Sequence, residues 1–332
     1  MPSPATQAPP AAAESGPRGG AAIAAVGMSV PAGAVTNAAI AARIGVSEEW
    51  ILTRTGVRER RIAGEGESVT SLAAAAGREA LERAGVGAET LDLVLVATMA
   101  ADDLSPNAAP LVARELGASR AGALDVGAAC SGFLTSLALA CGQVEAGRAE
   151  RVLVIGADLL SRLTDPTDRG TAALFADGAG AALITAVDAP GAIGPIVLHA
   201  EGDVDRYVHA SHAERLIRMQ GHDVFREAVR RLCESTLEVA ARAGLRLEEV
   251  DLFVYHQANA RILDAVGERL GLRRERVVDC VERFGNTSSA TIPIALADAE
   301  SSGLLGRGDT VLLGAFGAGL TWGAGLLRWG AR

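Results

Sequence analysis

Short apolar runs alternate along this chain with longer segments of helical character. The runs Leu91-Asp92-Leu93-Val94-Leu95-Val96, Ala123 to Val126, Arg151 to Ile155, Val250-Asp251-Leu252-Phe253-Val254-Tyr255, Val277 to Cys280 and Thr310 to Leu313 predict short, buried strands. Helical segments end at Ala84-Gly85 and Ala243-Gly244, each closed by a glycine, and another helix is predicted over Leu134 to Val144. Strands that alternate with helices in this way predict an α/β fold with parallel pairing.

The pattern occurs twice. Glu79 to Thr98 and Glu234 to Gln257 follow the same course of helix, glycine, connection and strand, and Gly85 to Asp92 and Gly244 to Asp251 both span seven residues. That sets an offset of 159 between the halves. Further on, each half runs from a strand through a glycine-bearing turn into a helix that starts near Cys130 or near Asn286. Those two residues, 156 apart, are therefore expected to be counterparts that meet across a pseudo-two-fold axis. A junction of this kind is where ligands of α/β proteins bind.

Composition narrows the picture. The 332 residues are 49% apolar, 21% charged and only 3% aromatic, so Ala, Val, Leu and Ile must build the core of one or two domains. The reading is a disordered Ala/Pro-rich tail over 1–20, an N-terminal half over 21–188 and a C-terminal half over 189–332. All 31 basic residues are arginines, which excludes Schiff-base chemistry on lysine. A net charge of −9 argues against nucleic acid as a partner. The tail has no signal-peptide pattern, and no segment is long and apolar enough to cross a membrane. Four scattered cysteines without CxxC pairs point to a reducing cytoplasm and away from a metal site.

Cys130 is the candidate nucleophile. It lies in Asp125-Val126-Gly127-Ala128-Ala129-Cys130-Ser131-Gly132-Phe133, between a strand and a helix, where unpaired amides and the positive helix end are expected to favour thiolate. His256, in Tyr255-His256-Gln257-Ala258-Asn259, emerges at a strand end, where it can activate a thiol or donate to an oxyanion. Asn286, in Phe284-Gly285-Asn286-Thr287-Ser288, supplies an amide, although Asn before a helix is ordinarily a cap. Taken singly, a cysteine or a histidine is more often a core residue. His199, His209, His212 and His222 read as loop or exposed helix start, and Cys141, Cys233 and Cys280 as core.

Together these strings resemble β-ketoacyl-acyl carrier protein synthase III, the initiating condensing enzyme of fatty-acid synthesis in the thiolase superfamily. The resemblance runs from Ala22 to Trp329 and includes Trp50 to Arg60, Asp165 to Thr171, Tyr255 to Arg261 and Ala315 to Gly323. It implies a five-layered αβαβα fold, a homodimer, an acyl-Cys130 intermediate, and decarboxylation of malonyl-acyl carrier protein by His256 and Asn286. The backbone N–H groups of Cys130 and Ala318 would hold the thioester oxyanion. Acyl-CoA would meet Trp50, Arg54 and Arg169, with Gly221, Phe225 and Asn259 along the pantetheine tunnel. Arg261 and Arg269 would face the carrier protein, beside Glu268 where many relatives have a base. Leu104, Phe175 and Phe316 fall at the acyl pocket, and Leu104 replaces a phenylalanine that closes the partner subunit's pocket in many relatives. The segment His199 to Met219 is also shorter than usual, and a pocket capped by Leu104 is expected to admit a longer or branched acyl group. No cofactor is implied beyond the two thioester substrates.

Other readings share some of these features. A starter-unit ketosynthase of a polyketide pathway has the same fold and cysteine. A non-catalytic partner subunit would lack the nucleophile that Cys130 supplies. Cys…His…Asn also occurs in papain-like proteases, which have no use for the duplication or the Trp50 string. Thiolases need a second catalytic cysteine and hydroxymethylglutaryl-CoA synthases a glutamate base, and neither is evident here.

Overall fold

The computed structural model describes residues 19–188, 192–202 and 205–331, so the predicted tail, apart from Gly19 and Gly20, lies outside the described residues. The first part of the chain forms β1 (Gly20–Ser29), β2 (Ala34–Thr36), α1 (Asn37–Ile44), α2 (Glu48–Thr55), β3 (Glu59–Arg61), α3 (Val69–Ala84), β4 (Leu93–Ala97), α4 (Ala108–Leu116), β5 (Gly122–Val126), α5 (Gly132–Glu145), β6 (Arg151–Leu159) and β7 (Asp177–Val187). The second part forms β8 (Ile193–Ala200), β9 (Val208–Ala210), β10 (Ile217–Met219), α6 (Gly221–Ala243), β11 (Leu252–Tyr255), α7 (Ala260–Leu270), α8 (Val281–Phe284), α9 (Thr291–Ser301), β12 (Thr310–Gly317) and β13 (Thr321–Arg328).

Two sheets carry the fold, with strand orders β1-β7-β6-β4-β5 and β11-β12-β13-β8. In each, the pairs at one end of the sheet are parallel (β4 with β5 and β6; β11 with β12) and the remaining pairs antiparallel. Helices α5 and α9 pack between the sheets, α3 and α4 cover the outer face of the first, and α6 and α7 cover that of the second. The result is the expected five-layered αβαβα arrangement. Its apolar clusters follow the layers: one between the sheets around Phe133, Leu137 and Leu296, one under α3, and one under α6. The thin aromatic content is no obstacle, because alanines and glycines let helices approach strands closely. At Gly156 of β6 a Cβ would stand 2.3 Å from the Ser289 carbonyl oxygen, so only glycine admits the turn before α9.

The duplication is stricter than the spacing of Cys130 and Asn286 suggests. Leu93 and Leu252 open β4 and β11, Arg151 and Thr310 open β6 and β12, and Gly132 and Thr291 open α5 and α9, each pair 159 apart. The 3-10 turns before α5 and α9, Ala129–Ser131 and Ser288–Ala290, keep the same offset. The counterpart of Cys130 is therefore Ser289, and Asn286 corresponds to Gly127. The predicted strand Val277 to Cys280 is also absent. Val277 makes a single bridge to Phe253 and the Val278 N–H donates to the Phe253 carbonyl at 3.0 Å. Beyond that point the Gln257 side chain takes over, donating to the Val278 carbonyl at 3.1 Å and accepting from the Cys280 N–H at 2.9 Å. His199 and His209, expected in loops, lie in β8 and β9.

Candidate active site

Cys130 occupies the 3-10 turn between β5 and α5, and of the four cysteines it is the one whose residue keeps partial exposure. Asp125, at the end of β5, accepts the Ala108 and Ala109 amides at 3.0 and 2.7 Å, which pins α4 to the strand that delivers the cysteine. The residue before Cys130, Ala129, has φ of 44°, and its counterpart Ser288 has φ of 53°. Left-handed backbone at a residue with a Cβ costs on the order of 1–2 kcal/mol, and here it falls at the same position of both halves.

The end of β12 closes against this turn. A Cβ on Gly317 would come within 2.8 Å of the Cys130 nitrogen, so the strand can approach only as glycine. The Ser131 hydroxyl donates to the Thr321 carbonyl at 2.9 Å, and the Thr321 hydroxyl lies 3.1 Å from both the Ala128 and Ala318 carbonyls. These bonds hold the Cys130 and Ala318 turns side by side.

His256 follows β11, its N–H donating to the Gly314 carbonyl at 2.7 Å, and its Nδ1 is 2.6 Å from the Thr291 hydroxyl. Asn286 is fixed through its backbone, which donates to the Leu174 carbonyl at 3.0 Å and accepts from the Ala176 N–H at 2.9 Å. Its Oδ1 accepts the Ser288 N–H at 2.9 Å, so the amide is oriented by a residue of its own turn and does not cap α9. Both side chains are buried.

Burial sets the protonation states. It pushes the Cys130 thiol up to about 11, with the Asp158 charge adding to the rise and the Ser288 hydroxyl opposing it. The expected resting thiolate is thus not what the site favours, because desolvation outweighs the helix end. Burial likewise drives the His256 imidazole down to about 3. At neutral pH both groups rest uncharged.

Two polar residues stand out that the sequence did not single out. The buried Asp158 carboxylate accepts the Ser289 N–H and hydroxyl at 3.1 and 2.7 Å on one oxygen, and the Met99 N–H and Thr98 hydroxyl at 2.8 and 3.2 Å on the other. It ties the ends of β4 and β6 to the turn before α9, and the available signal was a lone carboxylate at the end of an apolar run. The Ser288 hydroxyl is buried beside the Cys130 sulfur and lines the same cavity.

That cavity, about 470 Å³, is lined by Cys130, His256, Asn286 and Ala318 together with the apolar Phe175 and Phe316. Its wall also contains Trp50, Arg54, Arg169, Gly221, Phe225 and Asn259, and Arg261 of α7. The Arg54 guanidinium lies over the Trp50 ring at 5.3 Å, and Arg169 is tethered to the Ile44 and Gly45 carbonyls at 2.9 and 3.1 Å. The Asn259 amide is already used: it caps α7 through the Arg261 N–H at 2.9 Å and donates to the Arg54 carbonyl at 3.0 Å. It offers a ligand a rigid wall that joins α2 to α7. Two expected residues stand outside. Leu104 is 84% exposed and does not line the cavity of its own chain, and Arg269 lies further along α7. Among the described residues no group of three or more His, Cys, Asp or Glu side chains is placed to hold a metal ion.

Comparison with known proteins gives a consistent result. The family models described as 3-oxoacyl-[acyl-carrier-protein (ACP)] synthase III and its C-terminal part match residues 124–202 and 240–329. The chain is 45% identical over 305 residues to the β-ketoacyl-[acyl-carrier-protein] synthase III 1 of Halalkalibacterium halodurans, covering 92% of this chain and 97% of that protein. The crystal structure of 3-oxoacyl-[acyl-carrier-protein] synthase III from Aquifex aeolicus superimposes with a TM-score of 0.91 at 43% identity, over 93% of this chain and all of the other. The priming β-ketosynthase of the R1128 polyketide pathway reaches the same TM-score at 37% identity, over 96% of this chain and 98% of the other.

Proposed function

This chain belongs to the 3-oxoacyl-[acyl-carrier-protein] synthase III family, and we propose that it condenses an acyl-CoA with malonyl-acyl carrier protein through acyl-Cys130. In the first half-reaction the Cys130 sulfur attacks the acyl-CoA carbonyl and the carbon–sulfur bond to CoA breaks. The thiol proton leaves on CoA. The Cys130 and Ala318 amides hold the transient oxyanion, and Trp50, Arg54 and Arg169 hold the nucleotide end.

In the second half-reaction the carboxylate of the malonyl group departs as CO₂. The electron pair of the broken bond passes into an enolate held by His256 and Asn286. The enolate carbon then attacks the acyl-Cys130 carbonyl, the new carbon–carbon bond forms, and the sulfur leaves and takes up a proton. A neutral imidazole and an amide are suited to this step because they donate without presenting a cation that would hold the carboxylate in place. The thioesters supply all the reactivity, so no cofactor takes part.

The observation that carries this reading is that Cys130, His256 and Asn286 come from three separate elements into one cavity. Incubation with an acyl-CoA should add the acyl mass to the Cys130 peptide, and malonyl-acyl carrier protein should then release CO₂ and a β-ketoacyl product. An unmodified Cys130 would leave a non-catalytic partner subunit as the better description.

The priming ketosynthase similarity favours a second reading, in which the same reaction starts a polyketide. A panel of acyl-CoAs separates the two by the starter preferred: strict acetyl selectivity would also dismiss the longer or branched chain expected from Leu104. The protein is proposed to work as a homodimer, supported by the unpaired outer edge of β5, and in the cytoplasm, supported by its four free cysteines.

A further inference from the structure

Resting on the decarboxylation just described, we propose that Thr291 is a positioning residue: its hydroxyl donates to His256 Nδ1 and so holds the ring in the tautomer that carries its proton on Nε2. The assignment comes from the donors and acceptors around the ring. Thr291 Oγ1 has one proton and two candidate acceptors, His256 Nδ1 at 2.6 Å and the Ser288 carbonyl at 3.0 Å. That carbonyl already accepts the Thr291 N–H that closes the 3-10 turn. Of the two contacts, the one to Nδ1 is also the shorter, at 2.6 Å against 3.0 Å. Both facts send the hydroxyl proton to Nδ1.

The consequence is chemical. With Nδ1 as acceptor, the nitrogen left for the cavity is Nε2–H, a donor that cannot take the Cys130 proton. His256 is then committed to the enolate and is a bystander in acylation. Asn286 is set in the same way, since Oδ1 is occupied by the Ser288 N–H at 2.9 Å and the amide NH₂ is the remaining end. Ser288, the left-handed residue of the turn, thus orients one donor through its N–H and steadies the residue that orients the other through its carbonyl.

The test uses full-length protein labelled with ¹⁵N-histidine, alongside Thr291→Val, which keeps the shape and removes the hydroxyl, and Thr291→Ser, which restores it. Two-bond ¹⁵N–¹H correlations should show His256 as the Nε2–H tautomer in the unaltered protein and a shift toward Nδ1–H in Thr291→Val. Decarboxylation of malonyl-acyl carrier protein should lose about ten- to a hundredfold in kcat in Thr291→Val, with KM and the rate of Cys130 acylation within about twofold, and Thr291→Ser should recover most of the loss. An Nδ1–H tautomer in the unaltered protein overturns the proposal. So does a Thr291→Val enzyme that decarboxylates normally, or one that loses acylation and decarboxylation equally. If the unaltered protein makes no condensation product, the functional reading fails, while the tautomer measurement still judges Thr291.

Discussion

The protonation states of two side chains give the most direct checks at the scale of single residues. The folded protein holds the His256 imidazole near 3, against 6.5 for an unperturbed histidine. Below 6.5 the unfolded chain therefore binds a proton that the folded one refuses. The stabilisation is complete above 6.5 and is lost as pH falls toward 3, with a slope of up to about 1.4 kcal/mol per pH unit. Urea unfolding between pH 6 and 4 should cost the unaltered protein roughly 2–3 kcal/mol more than His256→Asn, and parallel losses would show that the ring is not desolvated. For Cys130 the thiol near 11 predicts that alkylation by iodoacetamide, in the absence of substrate, climbs about tenfold per pH unit from 7 to 9. A plateau by pH 8 would restore the thiolate expected from the helix start. That Cys130, His256 and Asn286 belong together was legible in the sequence, because each lies in a distinctive string at an element boundary, and the three line one cavity. Their ionisation was not, since a turn before a helix is visible in one dimension and desolvation by β12 and the Ser288 turn is not. Asp158 and Thr291 were missed for the same reason: both act on groups distant in sequence.

At the scale of elements, the repeat was read correctly where strands and helix ends fix the frame, and misread where function was used to fix it. Gly85 and Gly244 close their helices in left-handed geometry with φ of 67° and 66°, so the glycines that revealed the offset of 159 are structural marks of the duplication. Pairing Cys130 with Asn286 departed from that frame by three residues. The strand over Val277 to Cys280 failed because a single glutamine side chain, Gln257, can satisfy the backbone groups that a ladder would have used. The most sensitive contact between elements is that of β12 with the Cys130 turn. Gly317→Ala would place its methyl 2.8 Å from the Cys130 nitrogen and 3.0 Å from its Cβ, neither of which is a flexible side-chain end. Overpacking of this kind costs about 1–3 kcal/mol, and here the displaced atoms are those of Cys130, the proposed nucleophile, and its N–H, a proposed oxyanion donor. Thermal unfolding should show the modest loss, and single-turnover acylation by acyl-CoA should slow by at least about tenfold. A variant that acylates at the normal rate would mean that Gly317 does not set the position of Cys130.

For the whole molecule, the duplication was legible as two similar βα-rich halves, while the five layers were implied by the family resemblance and are what the two sheets form. What remained hidden was which edges stay open. Among the described residues the first sheet ends at β5, whose only ladder is with β4. This edge carries no proline and no lysine, and the charge of Asp125 is spent on the α4 amides. An unpaired, uncharged edge is a template for another strand. Leu124 on β5 is 45% exposed and Leu139 on α5 is 46% exposed, both large apolar side chains left in water. Antiparallel or face-to-face pairing of two β5 edges would cover them in one symmetric contact. It would also give a role to Leu104, which is 84% exposed and outside its own cavity, by carrying it to the acyl end of the partner's. Leu124→Asp puts a charge at the centre of that contact while leaving the cavity residues untouched. Sedimentation should show the unaltered protein at twice the mass of this variant at micromolar concentration. The separated chains should still accept an acyl group on Cys130 but lose discrimination between short and long acyl-CoAs, because the wall proposed for the partner's Leu104 would be gone. If Leu124→Asp remains dimeric, or separates without any change in acyl preference, the β5 edge is not what completes the pocket.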